Sequence, residues 1–145
     1  PRSTLFPYTT LFRSIRMPSF VRWTGKVPAG KRSKEVIHMT DVLPSFAKLA
    51  GATLPANVDG ADMSAVWQGK SKAPERTVFW EWPDNPRQVA AMRGDYKLLD
   101  INGARYLYNV DADPGERRNL APEMPEIAKS LAADIAAWLK TAVTP

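Results

Sequence analysis

The stretch that decides the fold is residues 88–103, Gln88-Val89-Ala90-Ala91-Met92-Arg93-Gly94-Asp95-Tyr96-Lys97-Leu98-Leu99-Asp100-Ile101-Asn102-Gly103. Two β-prone runs, Gln88 to Arg93 and Tyr96 to Ile101, are separated by Gly94-Asp95, and Asn102-Gly103 separates the second from a third run, Arg105 to Val110. Both dipeptides supply the positive φ that tight hairpin turns require. The pattern predicts three antiparallel strands, with Thr77 to Trp82 as a fourth. Alternation along that fourth run sends Phe79 and Glu81 to one face and Trp80 and Trp82 to the other, so one face is expected to be core and the other a stacking surface.

Downstream, Asp111-Ala112-Asp113-Pro114-Gly115 reads as a turn. A helix is expected from Pro125 to Ala142, because Pro125 suits a first helical position and Ile127, Leu131, Ile135, Trp138, Leu139 and Ala142 form one apolar stripe. A sheet of this width is barely stable uncovered, so the helix should cover one face.

Upstream, Ile15 to Trp23 reads as a strand from its dense apolar residues Met17, Phe20, Val21 and Trp23, and Gly25 to Gly30 reads as a loop. Asp41 to Ala50 predicts a helix with Asp41 as N-cap, the stripe Val42, Phe46, Leu49 and Ala50, and Gly51 as the left-handed stop. Pro44 is tolerated at its third position, where the missing N–H has no intrahelical partner. Ala52 to Pro74 reads as loop with a short apolar segment, Met63 to Trp67. The first 14 residues repeat Thr-Leu-Phe at Thr4 and Thr10; they resemble a translated adapter and are set apart from the fold, the alternative being an amphipathic edge strand.

The chain has 145 residues, is 44% apolar, and contains no Cys and one His, His38. A core is affordable at that length. Disulfides, thiolate sites and His-built metal or relay sites have almost nothing to work with. No apolar run approaches the ~18 residues of a spanning helix, so no membrane span is expected. The net charge of +5 is uneven: residues 1–40 hold 8 Lys+Arg against 1 acidic residue, and the remainder hold 12 against 14. The cations Arg22, Lys26, Lys31, Arg32 and Lys34 are interleaved with Gly and Pro rather than placed on one helical face, which reads as solvated loop charge and not as a nucleic-acid element.

Catalytic signatures are absent: no phosphate-cradling Gly-rich loop, no Gly-x-Ser-x-Gly elbow, no His cluster. Asp59/Asp62 and Asp111/Asp113 flank turns, where Asp is favoured for local hydrogen bonds rather than for holding a metal. Arg93-Gly94-Asp95 is explained as hairpin chemistry.

The succession Ile15-Arg16-Met17-Pro18, Trp23, Gly25-Lys26, Asp41-Val42-Leu43-Pro44, Leu49-Ala50-Gly51, Asp59-Gly60, Phe79-Trp80-Glu81, Met92 to Leu98, Leu107-Tyr108-Asn109-Val110, Asp113-Pro114-Gly115-Glu116 and Asn119-Leu120 resembles the C-terminal half of a sulfatase. The resemblance runs from Ile15 to about Leu139. It implies an α/β fold, α+β for this stretch alone. Residues 15–72 would be the edge of the sulfatase α/β domain, and 73–145 a small four-stranded antiparallel subdomain covered by a C-terminal helix. It also implies hydrolysis of sulfate esters of small molecules or sugars, with a calcium ion, and a formylglycine made in a Cys/Ser-x-Pro-x-Arg motif. This chain contains no such motif, so no catalytic or metal residue is expected in it, and the stretch alone is expected to be inactive and to wall the substrate cleft. A phosphodiesterase or phosphonate hydrolase of the same superfamily is the alternative, and a basic polyanion-binding module a further one. Family members are often secreted or periplasmic. At the position of a family His stands Trp82. The resemblance points to Trp82, Asn85 and Arg87 as substrate-binding residues, Trp82 stacking on a ring and Arg87 donating to a sulfate or carboxylate. The competing expectation is a core Trp82 and a surface Arg87 paired with Asp84.

Overall fold

The computed structural model describes residues 15, 17–83 and 86–141. The readings that concern Pro1 to Ser14, Asp84, Asn85 and Ala142 lie outside the described residues. The chain divides into two compact units, Pro18–Glu75 and the remainder.

In the larger unit the four predicted strands form one antiparallel meander, β1 (Thr77–Trp82), β2 (Gln88–Arg93), β3 (Tyr96–Ile101) and β4 (Ala104–Asn109), in sheet order β1-β2-β3-β4. β4 begins and ends one residue earlier than its apolar run suggests. The turns carry the register: Asn102 and Gly103 have φ of 50° and 89°, the pair of positive values a type I′ turn needs, whereas at Gly94-Asp95 only Gly94 is positive, at 57°.

Register assigns the faces. Phe79 lies opposite Ala91, Ala91 opposite Leu98, and Leu98 opposite Leu107, so these side chains share one face with Val89. Helix α3 (Pro125–Thr141) lays Ala128, Leu131, Ala132 and Ile135 on that face, and Leu98, Leu107 and Leu131 are 0% exposed. Burying each of these leucines contributes about 1.5–3 kcal/mol. The Phe79 and Trp138 rings stack with centroids 5.1 Å apart. Arg93 ties the helix to the sheet by donating to Asp134 Oδ2 at 3.0 Å and Ser130 Oγ at 2.8 Å, and the Thr77 hydroxyl donates to the same Asp134 oxygen. The far edge is closed too: Leu107 N donates to Asn119 Oδ1, and Leu107 O accepts from Leu120 N, so β4 has its main-chain groups partnered there. On the opposite face, Ala90, Leu99 and Ile101 are buried with Ile15, Trp80 and Tyr106 packed against them.

Pro18–Glu75 is built differently. No strand forms among residues 17–23, contrary to the apolar reading of Ile15 to Trp23. A strand needs a neighbour to take up its N–H and C=O groups, and apolar density does not provide one. A 3-10 turn (Met39–Asp41) precedes helix α1 (Val42–Ala50), so the helical entry starts earlier than expected. Asp41 is the N-cap residue of α1, as expected, and His38 is the residue before the 3-10 turn. The His38 N–H donates to Asp41 Oδ2 at 2.7 Å, and Asp41 itself makes no cap bond into α1. Gly51 stops the helix at φ 67°, as predicted.

The face that α1 buries also differs from expectation. Pro44 and Ser45 are buried, while Phe46 of the apolar stripe is 59% exposed. The cause is a polar knot. Asp41 Oδ1 accepts from Ala61 N at 2.9 Å, and Ser45 Oγ donates to Asp41 O at 2.6 Å and accepts from Met63 N at 2.8 Å. Gly60 permits this approach, since a Cβ there would lie 1.9 Å from Thr40 O. The segment expected as apolar loop contains a short helix, α2 (Ser64–Trp67), whose Trp67 meets Phe46 at a centroid distance of 5.6 Å.

Candidate functional site

The β1–β2 hairpin presents the residues singled out from sequence at its open end. Trp82 is the last residue of β1. Its partner Gln88 lies directly opposite on β2, and both belong to the face away from α3, with Trp80 and Ala90. Trp82 is 41% exposed and is not among the side chains that fill the sheet's buried clusters. Trp80, two residues earlier, is packed against one of them. The indole at 82 is therefore a surface group at the exposed end of β1, and the expectation of a core Trp82 is not what the structure shows.

Arg87 precedes β2. Its Nε donates to Glu81 Oε1 at 2.7 Å, and Glu81 sits on the α3 side of the sheet, opposite Val89. The partner of Arg87 among the described residues is thus Glu81. Trp82 and the Glu81–Arg87 pair stand on opposite sides of one hairpin end. Nη2 also lies 2.5 Å from that oxygen, so Glu81 holds two nitrogens of the guanidinium and Nη1 is the nitrogen left to meet an anion. Asn85 lies outside the described residues.

Gln88 was not legible as a site residue. Its side chain is buried at 3% exposure, and Oε1 has no hydrogen-bond partner among the described residues. A shielded amide oxygen without a donor costs about 1–3 kcal/mol, and this one lies across from Trp82.

A second polar group occupies the same face at β3 and β4. Lys97, 1% exposed, donates to both carboxylate oxygens of Glu116 at 3.0 and 3.1 Å. Burial pulls the Lys97 ammonium below its ordinary range, and Glu116 opposes that shift. Tyr108 lies opposite Lys97, and its hydroxyl is pushed up to about 12, first by burial and then by the charges of Glu116, Tyr106 and Asp113. Glu116 holds φ of 51°, a left-handed value for a non-glycine residue. The turn before it is fixed by Asp113, whose Oδ2 accepts from Arg117 N and Arg118 N; these bonds, that from Arg118 foremost, hold its carboxyl below the usual range. Asp62 likewise accepts from Ser64 N at 2.8 Å. Among the described residues no group of three or more His, Asp or Glu is placed to hold a metal ion. Nor does any described helix have the length and apolarity to cross a membrane.

Residues 8–141 match the family described as N-sulphoglucosamine sulphohydrolase, C-terminal. Arylsulfatase A of Bos taurus is 31% identical over 147 residues, covering 83% of this chain and 29% of that protein. N-acetylglucosamine-6-O-sulfatase of Bacteroides thetaiotaomicron is 26% identical over 118 residues, covering 72% of this chain and 21% of that protein. The chain thus spans less than a third of the length of these relatives. The solved structure of Ps i-CgsB is similar with a TM-score of 0.74 at 23% identity, over 80% of this chain and 27% of that one, and so supports the fold alone. A structure described as a 2-O GAG sulfatase is similar with a TM-score of 0.56 at 25% identity, over 70% of this chain and 24% of that one. With the family match running from β1 through α3 and back across Pro18–Glu75, the chain belongs to the sulfatase C-terminal domain family.

Proposed function

We propose that this chain walls the substrate cleft of an enzyme that hydrolyses sulfate esters of sugars, Trp82 stacking on a sugar ring and Arg87 donating to a sulfate or carboxylate. The observation that carries this reading is the placement of Trp82, a large aromatic left 41% exposed at the end of β1, opposite the buried Gln88. Arg87 at the same hairpin end supplies charge. Asn85 completes the set from the connecting loop. Residues 15–72 serve as the edge of the larger α/β domain, and 73–145 as the wall itself.

The reacting groups belong elsewhere in the enzyme. Sulfate transfer needs positive groups converging on an anion, and the family's calcium and formylglycine would sit with them. The chain alone is inactive on this reading, and an aryl sulfate assay that returned turnover would refute that part. The named relatives are sulfatases, which favours a sulfate ester over a phosphodiester or phosphonate as substrate.

The binding role is tested by titrating the chain with glucosamine 6-sulfate and following its amide, indole and guanidinium resonances. Shifts are expected at the Trp82 indole and the Arg87 Nε–H, smaller with unsulfated glucosamine, and lost in Trp82→Ala. Shifts elsewhere with Trp82 and Arg87 silent would overturn the assignment.

A further inference from the structure

Among the described residues six cations of the sheet unit lie in ion pairs, and a group of cations in Pro18–Glu75 does not. In the sheet unit Arg87, Arg93, Lys97, Arg105, Arg118 and Lys129 each meet a carboxylate within 3.3 Å. In Pro18–Glu75 the exposed Lys26, Lys31 and Arg32 make no ion pair among the described residues. The structure also brings a second cationic segment to them. The Glu35 carboxylate accepts from Ala73 N at 2.9 Å, across 38 positions of sequence, and Pro28 Cγ lies 3.8 Å from where a Gly69 Cβ would stand. These two contacts join loop 26–35 to segment 69–73, which carries the exposed Lys70 and Lys72. The carboxylate between the two loops, Glu35, is engaged in holding them together.

We propose that these joined loops form a face that holds a sulfated polysaccharide chain. The proposal rests on the sulfatase reading, which supplies the class of anion. Like charges crowded on adjoining loops retain counterions, and a polymer with repeated sulfates gains by releasing them. A single sulfate would reach one loop, whereas a chain of them bridges both. Duplex nucleic acid fits less well, because Gly25 and Gly30, at φ of 76° and 68°, turn the segment tightly and offer neither helix nor ribbon to a groove.

The test measures binding of the full chain to immobilised heparin, to unsulfated dextran and to duplex DNA. Heparin is expected to bind and dextran not, with affinity falling roughly 50-fold between about 50 and 200 mM salt if about four cations engage. The variant Lys31→Ser/Arg32→Ser/Lys70→Ser/Lys72→Ser alters exposed side chains, should keep the native circular dichroism, and should lose at least about tenfold in heparin affinity with a flattened salt slope. Lys129→Ser, which removes an exposed cation of the sheet unit, should leave heparin binding unchanged. Heparin binding that ignores the quadruple variant, or DNA bound as tightly as heparin, would overturn the proposal. A silent heparin experiment beside a responsive Trp82 indole would reject this face and leave the sulfatase reading standing; the reverse would reject the Trp82 site alone.

Discussion

The sheet unit and Pro18–Glu75 solve the same problem by different means. The sheet is closed by apolar burial on both faces, with leucines at 0% exposure under α3 and its buried Lys97 paired with Glu116. Pro18–Glu75 is held by the Asp41, Ser45 and Gly60 knot and leaves Phe20 at 95%, Leu43 at 58% and Phe46 at 59% exposure. These large apolar side chains point to solvent while Asp41 and Ser45 are buried. Exposed apolar surface on that scale marks a face built for contact, in keeping with the edge role proposed for residues 15–72. The sheet unit, in contrast, is provided for by its own residues.

The largest effect that would sharpen this contrast lies in the buried ion pair of the sheet. Lys97→Met or Glu116→Gln alone should cost about 3–5 kcal/mol in urea denaturation, because each leaves its partner shielded without compensation. Lys97→Met with Glu116→Leu should recover most of that loss. Costs that simply add would show that the two groups do not act as a pair. Next in size, Leu131→Ala should lose about 2–5 kcal/mol, whereas Phe46→Ala should stay within about 0.5 kcal/mol. Equal losses at the two sites would erase the distinction between the units.

A smaller effect is expected from pH. The Tyr108 hydroxyl is raised from 10.0 to about 12. The folded state therefore holds this proton more tightly than the unfolded one, so its stabilisation is full below pH 10.0 and is lost as pH climbs to about 12. Tyr108→Phe should flatten the alkaline fall in stability over that window. An unchanged slope would show that Tyr108 is not the group responsible.

Much of the sheet was legible because turn chemistry and alternation agree there. Asn102-Gly103 and Gly94-Asp95 set the hairpins, and the even positions of β1 separate cleanly from the odd ones. Alternation also carried a signal that composition hid. Lys97 shares its face with Leu99 and Ile101, so it had to be buried and paired, but its partner lies 19 positions on and no local pattern names it. The strand expected at Ile15 to Trp23 failed because apolar content is not a ladder partner. The α1 stripe failed because the polar knot, not the apolar face, decides which side turns inward. Of the candidate site residues, Trp82 and Arg87 were named by the sulfatase resemblance and not by local pattern. Gln88 was not, since an unpartnered buried oxygen has no sequence signature.

The central claim is that Trp82 is displayed for substrate and not for stability. Its most direct test is Trp82→Ala in a sulfatase whose C-terminal part is this chain, with KM for a sulfated sugar and the thermal midpoint measured together. Loss of one stacking contact of ~1 kcal/mol should raise KM about fivefold, with kcat and Tm unchanged. A sharp drop in Tm with KM unaltered would contradict it and make Trp82 a structural residue.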